Sequence, residues 1–94
     1  MEKPLSPQVA RQRLTQILIS GGEVSFSKHA LAECATDQMT TVDCVNVLRG
    51  GAIEPADFIS GTWRYRVRTA KLSVVFAFRS ESRCVVVTAW RDSE

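Results

Sequence analysis

Apolar positions along the chain follow two different periods. From Ser6 to Gly51 they recur mainly three and four residues apart, and from Ala52 onward they alternate. Ser6-Pro7 has the form of an N-cap followed by a first-turn proline. Ala10, Leu14, Ile17 and Leu18 then share one side up to Gly21-Gly22, while Arg11, Arg13 and Gln16 take the others, so an amphipathic helix is predicted over 6–20. Val24 and Phe26 form a short extended piece. Ser27 caps a second helix with Ala30, Leu31, Cys34 and Ala35 on its inner face. Thr40-x-x-Asp43 resembles a capping box and opens a third helix, with Val42, Val45 and Leu48 inward and Gly50-Gly51 as its stop.

The second half reads as strands. Ile53–Ile59 is a weak one, interrupted by Pro55 and therefore placed at an edge. Ser60-Gly61 marks a turn, and Thr62–Arg68, Leu72–Arg79 and Arg83–Arg91 are rich in β-branched and aromatic residues. The predicted fold class is α+β. A single domain spans 1–94, with N-terminal helices packed on one face of a C-terminal antiparallel sheet. Leu72, Val74, Phe76 and Phe78 face the helices in this reading, as do Trp63, Tyr65 and Val67, and Val85, Val87 and Ala89. Arg64, Arg66 and Arg68 then lie on the open face with Arg79, Val86, Thr88 and Trp90. A bulge would alter that assignment.

Composition narrows the class without naming a function. At 94 residues, 45% hydrophobic and 23% charged, the chain suits one ordinary core and excludes a disordered or collagenous protein. No window approaches the ~20 apolar residues of a membrane span, so no membrane association is expected. The opening Met1–Pro7 has neither the cationic nor the apolar part of a secretory signal, and a cytoplasmic protein is expected. Cys34, Cys44 and Cys84 lack close pairing, and with His29 they would give ligand spacings of 5, 10 and 40 residues. Buried thiols are expected there, with no metal and no cofactor.

Charge changes the picture more. The net +2 divides into −2 over residues 1–60 and +4 over residues 61–94. A basic sheet face attracts polyanions. An Arg-x-Arg-x-Arg stripe is also the usual composition of a solvated strand that resists edge-to-edge aggregation. Two features favour ligand binding: no acid is read in the strands neighbouring the arginines, and Trp90 supplies an aromatic for base stacking. His29 falls in the first turn of the second helix, where the helix dipole favours a neutral ring able to act as a general base. The alternative is a half-exposed histidine that only packs or hydrogen-bonds.

Four motifs in order carry a resemblance. They are Phe26-Ser27-x-His29-Ala30-Leu31, then Thr41-Val42 leading to Leu48-Arg49-Gly50-Gly51, then Trp63-Arg64-Tyr65-Arg66-Val67, and Val85–Arg91 with its Val-Thr-Ala-Trp-Arg end. Together they resemble a bacterial domain family of unknown function grouped with RelE-like and MqsR-like toxins of toxin–antitoxin systems. The resemblance implies a microbial-ribonuclease-like core over 23–91 and metal-independent endoribonuclease activity. Its partners would be RNA, a cognate antitoxin and a second copy of the chain. It further implies His29 as base or acid, Arg64 and Arg66 on the phosphate, and Thr88 as a hydrogen-bond donor. Tyr65, Arg68, Arg79, Trp90 and Arg91 would bind substrate. Where many members carry an arginine shortly after the histidine, this chain has Glu33, which would be a second acid/base group or a change to the site. A non-catalytic RNA- or protein-binding module is the alternative function.

Overall fold

The computed structural model describes residues 3–92; the first two and last two residues, including Glu94 of the charge balance, lie outside that range. The elements run α1 (Pro7–Ile19), β1 (Glu23–Phe26), α2 (Lys28–Thr36), α3 (Thr41–Gly50), β2 (Ala52–Ile53), β3 (Asp57–Ile59), β4 (Thr62–Arg68), β5 (Leu72–Ser80) and β6 (Arg83–Arg91). The class is α+β, as expected. All three helix starts use the caps read from sequence: Ser6 accepts from Val9 N, Ser27 from Ala30 N, and Thr40 and Asp43 form a reciprocal capping box.

The sheet runs β1-β6-β5-β4-β2, with β3 pairing on β4. It is mixed, which corrects the expectation of a purely antiparallel sheet. β1 pairs in parallel with β6, from Glu23 opposite Arg83 to Phe26 opposite Val86. A four-residue strand between two helices has no hairpin neighbour, so its partner lies far along the chain. The weak strand expected over Ile53–Ile59 is two short ones, both antiparallel to β4 and separated at Pro55.

One side of the sheet carries the core. Tyr65, Val67, Val74, Phe76, Cys84, Val86 and Ala89 are buried there with Ala10, Leu14 and Ile17 of α1, so the apolar face of α1 is used inside the molecule. Helix faces differ in detail from the expected ones. α2 buries Ala30 and Cys34 while Leu31 is exposed, and α3 buries Cys44, Val47 and Leu48 while Val42 is exposed. Both helices are short and present a narrow seam of small or medium side chains, which leaves the flanking apolar residues to solvent.

In β6, Phe76 pairs with Val86 but Val75 pairs with Thr88, so Val87 is an extra residue. This bulge reverses part of the expected facing. Cys84, Val86 and Ala89 point to the helices, while Val85, Thr88 and Trp90 point away. The carbonyls around the bulge receive the cap of α2: Ser27 donates from its backbone N to Val86 O at 3.0 Å and from Oγ to Val87 O at 3.2 Å. A backbone irregularity in one strand thereby fixes where a helix begins.

α1 and α3 are joined by a half-buried cation. Arg11 Nη1 donates to Leu48 O at 2.6 Å and to Arg49 O at 3.3 Å, and Nη2 donates to Gly51 O. These are carbonyls at the C-terminal end of α3, where positive charge is favoured. Gly51 sits in the same seam. A methyl group there would meet Val67 Cγ1 at 2.6 Å, Val47 O at 2.8 Å and Arg68 O at 2.9 Å. Two of those atoms are backbone and cannot rotate aside. Gly51→Ala is therefore expected to destabilise the fold by about 1–3 kcal/mol, read as a lower urea midpoint with unchanged slope. An unchanged midpoint would mean that the seam between α3 and β4 is looser than described.

Candidate nucleic-acid interface and active site

The open face is built in rows across the strands. Arg66 lies opposite Val75, and Val75 opposite Thr88. Arg68 lies opposite Ser73, and Ser73 opposite Trp90. With strands spaced at about 4.8 Å, the Arg66 and Thr88 backbones are roughly 10 Å apart, and successive arginines along β4 are about 7 Å apart. The bulge at Val87 puts Thr88 on this side; without it Thr88 would turn to the core. Arg64, Arg66, Arg68, Thr88 and Trp90 are therefore together on one surface, as expected.

His29 lies in the first turn of α2, the helix that packs Ala30 and Cys34 into the core. Ser27, two residues before it, is hydrogen-bonded to Val86 and Val87, and Thr88 follows directly. The histidine is exposed, and its Nε2 is 3.6 Å from Glu33 Oε1 one turn later. Glu33 is thus the partner of the ring. A carboxylate in that position can orient an imidazole.

Three expected binding residues lie elsewhere. Tyr65 is only 2% exposed, its hydroxyl accepts from Leu5 N at 2.8 Å, and its ring stacks on Phe76. It is on the helix side of the sheet. Arg91 pairs with Leu72 and clamps the α2–α3 connection: its N donates to Asp37 Oδ2 at 2.8 Å, Nε to Asp37 O at 3.2 Å and Nη2 to Gln38 O at 3.2 Å. Arg79 falls at a second irregularity in β5, where Phe78 pairs with Cys84 and Ser80 with Arg83. It lines an open groove of about 750 Å³ with Arg13, Phe58, Trp63, Tyr65 and Phe78.

The main residue that sequence reading missed is Glu54. It follows β2, donates its N–H to Arg66 O at 2.9 Å and so continues the pairing with β4 by one residue. Its carboxylate meets Arg66 through Oε1, which accepts from Nε at 2.7 Å and forms an ion pair with Nη2 at 2.6 Å, and Oε2 accepts from Arg68 Nη1 at 3.3 Å. The expectation that these arginines have no acid in a neighbouring strand is corrected. Hydrogen bonds from Arg66 first, and then Arg68, hold the Glu54 carboxyl below its ordinary 4.5. Alternation from Ile53 would have put Glu54 on the open face, but Pro55 obscured the strand.

Asp92 plays a similar part at the other end. It accepts from Trp90 Nε1 at 2.8 Å and from Ser73 Oγ at 3.1 Å, which fixes the indole against the sheet. Arg64 differs from its two neighbours. Among the described residues it has no acid at ion-pair distance, and its Nε is buried without an acceptor. An unsatisfied buried donor costs about 1–3 kcal/mol, which an anion reaching the guanidinium would offset.

The cysteines are all buried. Cys34 Sγ and Cys44 Sγ are 3.4 Å apart, and burial followed by the Cys34 contact pushes the Cys44 thiol up to about 12. Burial alone pushes Cys84 up to about 11. Such thiols are poor nucleophiles at neutral pH. Among the described residues no three or more His, Cys, Asp or Glu come together in a set able to hold a metal, and no helix is long and apolar enough to cross a membrane. Comparison of the chain with protein-family models, curated proteins and solved structures gives no match.

Proposed function

We propose that the open sheet face is the active site of a metal-independent endoribonuclease. The observation that carries this reading is the Arg66–Val75–Thr88 row, flanked by Arg64 and Arg68 on the face of the sheet opposite the core. RNA cleavage of this kind forms a bond from the 2′-oxygen to phosphorus and breaks the bond from phosphorus to the 5′-oxygen. It needs a base for the 2′-hydroxyl, cations for the charge that grows on phosphorus-bound oxygens, and an acid for the leaving oxygen. Arg64 and Arg66 supply the cations, and Thr88 Oγ a hydrogen bond. His29, oriented by Glu33, exchanges the proton. Trp90, held by Asp92, offers a stacking surface beside Arg68.

A toxin role with an antitoxin partner, in the cytoplasm, is supported by the four-motif resemblance. Its expected sign is growth arrest on expression in bacteria, relieved by His29→Ala. The biochemical test is incubation of purified protein with messenger RNA in the presence of chelator. Cleavage is the expected result. RNA that is retained but stays whole would support instead a binding module, a reading favoured by the engagement of Arg66 and Arg68 with Glu54. RNA neither cut nor bound would remove both.

A further inference from the structure

The three arginines of β4 are chemically unequal. Both oxygens of Glu54 are engaged by guanidinium groups, Oε1 by a hydrogen bond from Arg66 Nε with Nη2 at ion-pair distance and Oε2 by a hydrogen bond from Arg68. Two nitrogens of Arg66 converge on one carboxylate oxygen while Arg68 takes the other, and the oxygens of a phosphate are acceptors of the same kind. Arg64, one repeat along the strand, has no such acid among the described residues. We propose that Arg66 and Arg68 form the phosphate seat of the open face, and that Glu54 is an internal anion which occupies it until an RNA phosphate takes its place. The inference rests on the RNA reading above.

The local structure suits an exchange. The Glu54 backbone is anchored by its hydrogen bond to Arg66 O, so the residue stays beside the arginines. Its side chain is about one-third exposed and can turn into solvent without opening the core. Pro55 follows directly and interrupts the pairing with β4, which resumes only at Asp57. Arg64 is the arginine available for first contact, and the Arg66–Arg68 fork accepts the neighbouring phosphate once Glu54 has left. Ion pairs between partly exposed groups are worth at most about 1 kcal/mol, so the internal anion weakens RNA binding by several-fold without preventing it.

The test measures binding separately from cleavage. A fluorescent single-stranded oligonucleotide with 2′-O-methyl riboses cannot be cut, because its nucleophile is blocked. Its anisotropy is followed against the full chain over a range of salt. Glu54→Gln is expected to tighten binding about 3–5-fold at low salt and to steepen the slope of log K against log salt by about 0.7 per added phosphate contact. Glu54→Ala, which also removes the amide acceptor, must move the same way, with circular dichroism confirming that both fold. Arg64→Ala is expected to weaken binding in either background. If the wild type binds and both Glu54 variants bind equally or more weakly, the internal-anion inference is overturned and the RNA reading stands. If none of the proteins binds at low salt, the two fall together.

Discussion

Arg66→Ala is expected to lower RNA cleavage by at least about 100-fold while the protein stays folded. Removing one preorganised donor from a developing oxyanion typically costs that much. Arg66 sits at the head of the row that ends at Thr88, its Nε donates to Glu54 Oε1, and its Nη2 lies 2.6 Å from the same oxygen. Its side chain is 43% exposed, so its loss leaves no cavity and little buried charge. The melting temperature should fall by no more than a few degrees, in line with a partly exposed ion pair. Arg66→Lys keeps the charge but not the fork and should fall between wild type and alanine. Cleavage unchanged in Arg66→Ala, with the fold intact, would remove the open face from the mechanism.

Phe76→Ala is expected to cost about 3–5 kcal/mol, the largest effect on stability of any single truncation considered. Phe76 is fully buried, stacks on Tyr65 with centroids 5.5 Å apart and meets Phe78 edge-on at 5.2 Å. It also pairs across the sheet with Tyr65 on one side and Val86 on the other, immediately before the bulge at Val87. The change would leave a void directly beneath the Arg66–Val75–Thr88 row. For a domain of this size the melting temperature should drop by more than about 12 °C. Phe76→Leu should recover most of the loss, since it refills much of the volume. A loss below about 1 kcal/mol for alanine would place the centre of the core elsewhere.

The helix starts were legible because capping is local: Ser6, Ser27 and the Thr40–Asp43 box each act within one turn. β4 and its facing were legible because arginine alternates with aromatic and β-branched residues. β6 was not, because Cys84–Val87 is a continuous apolar run with no alternation to show a bulge. Val86 and Val85 therefore exchange faces relative to expectation, while Thr88 and Trp90 keep theirs. The parallel β1–β6 pair joins residues about sixty positions apart, and no local signal reports such a contact. Glu54 was hidden for a related reason. A two-residue strand followed by proline carries too short a pattern for its faces to be read.

Arg91 and Trp90 illustrate how a motif can mix roles. They are adjacent in sequence and point to opposite sides of β6. One holds the α2–α3 connection through Asp37 and Gln38, and the other lies on the arginine face. Tyr65 is likewise part of the core between two arginines of the site. Alternation places a structural residue and a ligand-facing residue side by side wherever a strand carries both faces.

The account depends on strand scission by the 2′-hydroxyl at the open face, and the ends of the RNA fragments report that directly. Purified wild-type protein in chelator is expected to leave a 2′,3′-cyclic phosphate on one fragment and a 5′-hydroxyl on the other, by mass spectrometry. A single 2′-deoxy substitution at the cut position should block that cut, and His29→Ala and Arg66→Ala should each lose it. Intact RNA with folded wild-type protein, or fragments that persist unchanged in both variants, would contradict the account.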